Sequence, residues 1–344
     1  MRVLVTGHHG YIGSVTAPAL AAAGHDVVGL DAFFYEGCDL GTPTWDGRAL
    51  RADVRDVEQE ALKGLDAVVH LAALSNDPLG ELDPELTSEI NLDGTVRLAR
   101  AARAAGVRRF VLASSCSMYG AASTDTPVDE DAPLRPLTAY AESKVRAEEA
   151  LRELADDGFS PVFMRNATAY GVSPRLRLDL VLNNLAAWAH TTGAVRILSD
   201  GTPWRPLVHV QDIARATVVM LDAPREQVHA EAFNVGADAE NYQVRDLAET
   251  VSETVGDCRV EYSGGDPDPR SYRVDFGKLA RAFPELGLRW NARRGTQELV
   301  AAYRAASLTL DDFEGERFVR LRRLQRLLAD GRLDDRLRWR GTPP

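Results

Sequence analysis

The chain has 344 residues, 45% of them hydrophobic, which is enough for one large domain or two closely joined ones. Its 51 acidic and 40 basic residues give a net charge of −11, which argues against a general binder of nucleic acid or anionic membranes. Three scattered cysteines, Cys38, Cys116 and Cys258, predict neither a disulfide framework nor a zinc site, and we expect no metal. The N-terminus enters a structured motif at once, and no apolar run approaches the ~20 residues of a membrane span. We therefore predict a soluble cytoplasmic protein.

The first half of the chain alternates strand-like and helix-like segments. The strand-like runs are RVLVTG, DVVGLD, LDAVVHLAA and RRFVLASS, at residues 2–7, 26–31, 65–73 and 108–115. Alanine-rich stretches with helical spacing lie between them, for example EINLDGTVRLARAARAAG at 89–106, which ends on a glycine. This alternation, with strands that look buried, predicts an α/β fold whose parallel sheet has helices on both faces.

The second half has a different rhythm. Residues 195–212, VRILSDGTPWRPLVHVQD, predict paired strands joined by a turn, and residues 213–236 predict a helix and a strand that return to the first domain. From about residue 238 the pattern predicts a smaller mixed lobe. Residues 313–339 predict an arginine-rich amphipathic helix pair, which we expect to dock on its own chain or on a partner subunit.

The segment TGHHGYIG predicts a dinucleotide site. It places Gly7, Gly10 and Gly13 directly after the first strand and at the start of the first helix, where a tight glycine turn lets a pyrophosphate approach the helix N-terminus. Asp31 ends the second predicted strand, where its carboxylate can accept hydrogen bonds from the adenosine ribose and would repel a 2′-phosphate. Asp53 ends the third predicted strand and can meet the adenine edge. These features favour NAD over NADP.

The segment TAYAESK places Tyr140 and Lys144 four residues apart, on one face of a predicted helix. An isolated tyrosine has a pKa of about 10, and a nearby ammonium group would stabilise its phenolate and make it a better base near neutral pH. Lysine occurs only at Lys63, Lys144 and Lys278, so 37 of the 40 cations are arginine. A lysine in this place therefore indicates a function that arginine does not serve as well.

Six motifs occur in the order that is typical of one superfamily. These are TGHHGYIG, HLAAL, SSCSMYG, YAESK, RNATAYG and RPLVHVQD. With them the sequence resembles the extended short-chain dehydrogenase/reductase superfamily, in particular the NAD-dependent epimerase/dehydratase family that acts on nucleotide sugars. The resemblance covers nearly the whole chain. It implies an enzyme with NAD as cofactor, a nucleotide-sugar substrate and a homodimer formed through a helix bundle.

The resemblance also implies a division of the chain. It predicts a Rossmann-type doubly wound parallel sheet in an NAD-binding domain at residues 1–172, to which residues 207–237 return. A smaller mixed α/β substrate-binding lobe would comprise residues 173–206 and 238–344, with the C-terminal amphipathic helices.

Site residues are carried over position by position. Catalysis is assigned to Ser115, Tyr140 and Lys144, where Ser115 would hydrogen-bond the sugar hydroxyl that Tyr140 deprotonates. The cofactor would contact Gly7, Gly10, Tyr11, Ile12, Gly13, Asp31, Asp53, Val54, Leu71, Ala72, Ala73, Tyr140 and Lys144. The substrate would contact Ser75, Ser117, Asn166, Asn184, Arg205 and Arg270. For Asn166 a simple turn cap, and for the two arginines ordinary surface charge, stay open as alternatives.

The residues after Ser115 bear on the reaction. The 4,6-dehydratases that this sequence resembles carry an Asp-Glu pair there, and the related UDP-glucuronate decarboxylases usually keep a glutamate at the second position. This chain has Cys116 and Ser117. Dehydration is therefore disfavoured, and we predict C4 epimerisation through a 4-keto intermediate. An NAD(P)H-dependent reductase of nucleotide 4-keto sugars, and less so a UDP-glucuronate decarboxylase, stay open. A non-catalytic dinucleotide sensor is disfavoured because serine, tyrosine and lysine are all present.

Overall fold

The computed structural model describes residues 1–41, 45–75, 83–122, 125–256, 258–265 and 270–341. The predicted ranges 1–172 and 238–344 also include residues that lie outside this description. In chain order, the strands of the described residues are β1 (Arg2–Thr6), β2 (Asp26–Asp31), β3 (Ala49–Arg51), β4 (Ala67–His70), β5 (Arg109–Ser115), β6 (Ser160–Asn166), β7 (Thr168–Tyr170), β8 (Ala194–Ile197), β9 (Trp204–His209), β10 (Ala232–Val235), β11 (Asn241–Gln243) and β12 (Arg259–Tyr262).

The α-helices connect these strands. They are α1 (Gly13–Ala22), α2 (Pro84–Ser88), α3 (Gly94–Ala104), α4 (Ala139–Leu154), α5 (Val181–Thr192), α6 (Val210–Asp222), α7 (Arg225–Val228), α8 (Val244–Val255), α9 (Gly277–Ala282), α10 (Ala292–Ala305), α11 (Leu310–Glu314) and α12 (Arg320–Ala329). A π-helical turn at Glu89–Asp93 joins α2 to α3, and short 3-10 turns lie at Val54–Asp56, Gln59–Leu62, Cys116–Tyr119 and Asp238–Glu240.

A seven-stranded parallel sheet forms the centre of the molecule, in the order β10-β6-β5-β4-β1-β2-β3. Every neighbouring pair in it is parallel. The strand order reverses direction at β1, because the chain moves outward to β2 and β3 and then crosses back to β4. That reversal is the doubly wound arrangement, and the predicted Rossmann-type α/β fold is confirmed.

The sheet is buried on both faces because alternate residues of its strands join two different apolar clusters. Val3 and Val5 pack in one cluster, whereas Leu4 between them packs in the other. Likewise Val111 points to the first cluster and Phe110 to the second. A strand buried on both faces needs a continuous apolar run, which is why the strands read as runs of valine, leucine and phenylalanine.

A smaller lobe has its own apolar cluster, built from α5, α8 and α10 with two small sheets. In these sheets β9 lies between β11 and β7, and β8 pairs with β12. The prediction that residues 195–212 form strands paired with each other is therefore wrong. The reason is that β9 connects two cores, since Val208 packs in the first sheet cluster and Leu207 in the small-lobe cluster.

The C-terminal segment, residues 316–341, differs from the helix pair that was predicted for residues 313–339, a range that also includes the last two residues of α11. Within it the structure has one α-helix, α12, and Gly331 follows it with a φ of +65°, a conformation that ends helices readily because glycine has no Cβ. The chain then folds back through a bridge between Leu333 and Trp339. Leu324 and Leu327 of α12 pack in the second cluster, on a face of the large sheet.

No helix in the described part of the chain combines the length and the apolar character needed to cross a bilayer. Nor do three or more His, Cys, Asp or Glu side chains of those residues come together as a metal site would require.

Candidate active site

A cavity of about 590 Å³ lies along the carboxyl ends of the parallel strands and extends to the small lobe. This edge is where open α/β sheets bind their ligands. All residues that the sequence predicts for the site line its wall. They are Gly7, Gly10, Tyr11, Ile12, Gly13, Asp31, Asp53, Val54, Leu71, Ala72, Ala73, Ser75, Ser115, Ser117, Tyr140, Lys144, Asn166, Asn184, Arg205 and Arg270.

The glycine turn closes one end of this cavity. Gly7 has a φ of +71°, and a Cβ added to it would lie 2.7 Å from the amide nitrogen of Ala72, so only glycine fits there. A Cβ on Gly13 would collide with the carbonyl oxygen of Gly7. No side chain caps the N-terminus of α1 at Ile12, so this helix end can receive an anion on its backbone amides.

Two carboxylates lie beyond the turn, at the ends of neighbouring strands. Asp31 ends β2, and its carboxylate accepts hydrogen bonds from the amides of His9, at 3.0 Å, and Phe33, at 2.7 Å. The prediction that Asp53 ends the third strand is wrong, because β3 stops at Arg51. It instead caps a 3-10 turn, and its Oδ2 accepts a 2.7 Å hydrogen bond from Arg55. The two acids therefore differ in how much of their hydrogen-bonding capacity remains for a ligand.

Ser115, Tyr140 and Lys144 meet at the middle of the cavity. Ser115 is the last residue of β5; its hydroxyl lies 2.9 Å from the Ser117 hydroxyl and also interacts with the Tyr140 phenol, whose pKa it lowers. Thr138 caps α4 by accepting from the amide of Ala141, which places Tyr140 in the first turn. Lys144 follows one turn later, with its Nζ 5.8 Å from the centre of the Tyr140 ring and 2.8 Å from the carbonyl oxygen of Ala113, to which it donates.

Burial sets the charge properties of this group. It raises the pKa of Tyr140, and the hydrogen bond from Ser115 and the positive charge of Arg177 oppose the increase. Burial lowers the pKa of Lys144 from 10.5 to about 8, against the smaller effect of Glu148. The ammonium group of Lys144 is thus poorly solvated, and its charge therefore interacts strongly with a neighbouring anion.

Cys116 lies outside the cavity wall, although it follows Ser115 directly. Its side chain is fully buried, and its Sγ donates to the carbonyl oxygen of Arg165 at 3.1 Å. Burial raises the pKa of this thiol far above its ordinary value. Cys116 is therefore excluded as a catalytic base. Of the two residues that follow Ser115, only Ser117 borders the cavity.

The predicted substrate residues on the cavity wall differ in their contacts. Asn166 is buried, and its Oδ1 has no hydrogen-bond partner. Asn184 donates from Nδ2 to the carbonyl oxygen of Leu178 at 2.8 Å. Arg205 donates from Nη1 to the carbonyl oxygen of Trp204 at 2.8 Å, and also to that of Arg270. The unpartnered oxygen of Asn166 is not explained by a turn cap.

Two features of the cavity escaped the sequence prediction. Arg177 donates to the Ser75 hydroxyl at 3.1 Å and forms a two-bond pair with Asp179, whose shorter bond is 2.7 Å. The alternation of charged and apolar residues in RLRLD was the available signal, because such a pattern in a loop points the charges to one side. Arg320 of α12 also lines the cavity, and no local signal marks it among 37 arginines.

This chain is similar in sequence or structure to three known proteins. The UDP-glucose 4-epimerase of Bacillus subtilis (strain 168) is 31% identical over 327 residues, which cover 88% of this chain and 95% of that protein. TunA, an NAD-dependent NDP-hexosamine 5,6-dehydratase, superposes with a TM-score of 0.79 at 25% identity, covering 88% of this chain and 98% of TunA. MoeE5 in complex with UDP-glucose and NAD has a TM-score of 0.75 at 30% identity, covering 89% of this chain and 100% of MoeE5.

Fold, site and relatives agree on the class of protein, which is an enzyme of the short-chain dehydrogenase/reductase type. The chain belongs to the NAD dependent epimerase/dehydratase family, whose model matches residues 3–236. Its cofactor is NAD. The glycine turn fits this cofactor, because it leads into the uncapped N-terminus of α1, whose backbone amides can receive a pyrophosphate.

Proposed function

We propose that this protein is an NAD-dependent nucleotide-sugar epimerase that inverts C4 through a 4-keto intermediate. The observation that carries the proposal is the hydrogen-bonded pair of Ser115 and Tyr140 beside Lys144, in a cavity where no carboxylate follows Ser115. The 31% identity to a UDP-glucose 4-epimerase supports the same reaction.

Each residue of the group has a definite task in this reaction. Tyr140 removes the proton from the C4 hydroxyl as C4 is oxidised, and it returns a proton when the ketone is reduced. Ser115 hydrogen-bonds the same oxygen and holds it against the phenol. Lys144 stabilises the phenolate by its charge. When bound, NAD would supply the hydride acceptor and donor for C4, and rotation of the 4-keto sugar between the two transfers would present its opposite face.

The nucleotide diphosphate is assigned to the part of the cavity wall that carries the predicted substrate residues. There we propose that Asn166 and Asn184 hold the phosphates, with Arg205 and Arg270 near the phosphates or the base. The support is that all four residues line the cavity, with Asn166 buried and the other three half-buried, and that each carries N–H donors of the kind that phosphate oxygens accept. We assign Ser75 and Ser117, which line the same cavity, to the sugar.

Elimination of water needs a carboxylate that can reach C5, and the described part of the wall lacks a suitable one. Asp31 and Asp53 lie at the ends of β2 and beyond β3, on the cofactor side. Asp179 is paired with Arg177. Epimerisation needs no such base, which is why we place it before dehydration.

The test is to incubate the purified protein with nucleotide sugars, including UDP-glucose, UDP-glucuronate and dTDP-glucose, and to identify products by mass spectrometry and NMR. The proposal expects an isobaric C4 epimer. Deuterium at C4 of the substrate should stay at C4 of the product without added NAD, because the hydride returns from the same cofactor. Loss of water, loss of carbon dioxide, or consumption of added NADH with a 4-keto sugar would each assign a different reaction and reject this one.

The roles of Ser115 and Cys116 can be separated by one pair of variants. Ser115→Ala should lower kcat by about 100-fold, because it removes a hydrogen bond that favours ionisation of Tyr140. Cys116→Ala should stay within about threefold of wild type, since this thiol does not reach the cavity. Both kcat values should be measured on folded protein with matched NAD content. Equal losses in the two variants would contradict the assignment.

The division into domains, the homodimer and the cytoplasmic location stay predictions. Within this proposal, residues 1–172 with 207–237 would hold NAD, and residues 173–206 with 238–344 would hold the nucleotide sugar. Light scattering of the purified protein would test the homodimer.

A further inference from the structure

Arg320 is a buried cation that comes from the C-terminal segment. Its side chain is 3% exposed, and it lines the large cavity. The guanidinium lies 4.0 Å from the centre of the Tyr35 ring, and Nη2 donates to the carbonyl oxygen of Arg175 at 2.8 Å. Nη1 has no hydrogen-bond partner. A buried N–H that donates to nothing is costly, so this position calls for an acceptor.

Two other buried arginines have hydrogen-bonded carboxylate partners. Arg165 donates to Glu148 at 2.9 Å, and Arg177 donates to Asp179 at 2.7 Å. Burial alone would lower their pKa, but these partners raise it above its ordinary value. Burial lowers the pKa of Arg320, and no hydrogen-bonded carboxylate among the described residues restores it. An uncompensated guanidinium favours binding of an anion.

The neighbours of Arg320 place it on the cofactor side of the cavity. Tyr35 belongs to the loop that follows Asp31, at the end of β2. Arg320 donates to the carbonyl oxygen of Arg175, whose own Nε donates to the carbonyl oxygen of His9 at 3.2 Å, and His9 lies inside the glycine turn. The guanidinium therefore lies within electrostatic reach of the turn that precedes the uncapped N-terminus of α1.

We propose that Arg320 binds the pyrophosphate of NAD together with the N-terminus of α1. The planar guanidinium can give two parallel N–H bonds to phosphate oxygens, and Nη1 is the donor that stands ready for one of them. The N-terminus of α1 and Arg320 would then both stabilise the two negative charges of the pyrophosphate.

The rest of the C-terminal segment holds the wall of the same site. Trp339 donates from Nε1 to the carbonyl oxygen of Ala32 at 2.7 Å. Arg323 donates to the carbonyl oxygen of Glu36 at 3.2 Å, and Arg317 donates to that of Asp39 at 2.7 Å. All three acceptors lie in the loop after β2. Arg317 and Arg323 thus attach the C-terminal segment to the loop that borders the cofactor.

The test compares Arg320→Gln with wild type in the full-length protein. Bound NAD is quantified after denaturation of purified protein, and the Kd of NAD and of ADP-ribose is measured by calorimetry after removal of the cofactor. Both Kd values should rise about 10- to 100-fold, the range for loss of a hydrogen bond to a charged group. The Kd of UDP should stay within about twofold. Arg322→Gln, on the exposed side of the same helix, is the matched control and should match wild type.

Other outcomes decide against the proposal. It is overturned if Arg320→Gln leaves the Kd of NAD unchanged, or if UDP weakens while NAD does not. A lower melting temperature of the NAD-free variant with an unchanged NAD Kd would assign Arg320 a purely structural role. If Arg320→Gln does not fold, Arg320→Lys serves instead. It keeps the charge and loses the planar fork, so it should weaken NAD about three- to tenfold, and a wild-type Kd would overturn the proposal.

This inference stands apart from the sugar chemistry. The Kd of NAD does not depend on which nucleotide sugar is converted or at which carbon. A failed C4 assay with a normal loss of NAD affinity in Arg320→Gln would reject only the proposed reaction, and the reverse pattern would reject only the role of Arg320.

Discussion

Replacement of Tyr140 by Phe is expected to lower kcat by about 1,000-fold on every nucleotide sugar that the protein accepts. The phenol is the group that exchanges a proton with the sugar, and removal of a general acid–base residue typically costs two to four orders of magnitude. The fold should survive, because Phe keeps the ring beside Lys144 and loses only the hydroxyl that meets Ser115. The measurement is single-turnover chemistry at saturating substrate, with bound NAD quantified in parallel.

The role of Tyr140 as a base also predicts how kcat depends on pH. The phenolate is the base, so activity should rise as pH increases through the Tyr140 pKa. Burial raises that pKa, and the Ser115 hydrogen bond and Arg177 lower it. Ser115→Ala should therefore move the rise in kcat to higher pH, whereas Tyr140→Phe should abolish it. Tyr262→Phe, at an exposed tyrosine of the small lobe, is the matched control. A Tyr140→Phe enzyme with an unchanged pH profile would contradict the assignment.

Lys144→Met is expected to lower kcat by about 100-fold while leaving the folded protein no less stable at pH 7. Loss of the ammonium removes the charge that favours the phenolate, so the residual activity should need higher pH. Lys144 itself is 3% exposed, and burial lowers its pKa from 10.5 to about 8. The charged form is therefore held at a cost in the folded state, and Met of similar length removes that cost.

Stability as a function of pH checks the burial of Lys144 independently of catalysis. Between pH 8 and 10.5 the unfolded chain holds the Lys144 proton more tightly than the folded chain does. The free energy of unfolding of the wild type should consequently rise with pH in this window, by about 2 kcal/mol from pH 8 to 9.5 relative to Lys144→Met. Urea titrations at both pH values measure it. Lys63→Met, at an exposed lysine paired with Glu60, should follow the wild type. Parallel curves for the wild type and Lys144→Met would show that the ammonium is not desolvated.

Local sequence patterns were enough to predict the glycine turn, the Tyr140–Lys144 pair and the buried strands. The glycine turn needs Gly7 and Gly13 because the backbone there leaves no room for a Cβ, and such a requirement is visible as residue type and spacing. Tyr140 and Lys144 meet because four residues of helix bring them to one face. The apolar strands are readable because both faces of the sheet are buried.

Only the tertiary structure decided the features that join distant parts of the chain. Because β8 and β9 are close in sequence, we predicted that they pair with each other. In the structure they pair with different strands, because β9 connects two apolar cores. Arg320 shows the same principle in the site. Nothing near it in sequence distinguishes it from the other arginines of the tail, and its meaning arises only where folding buries its guanidinium beside Tyr35 without a carboxylate. Burial and charge compensation depend on residues far apart in the chain, so a local pattern does not contain them.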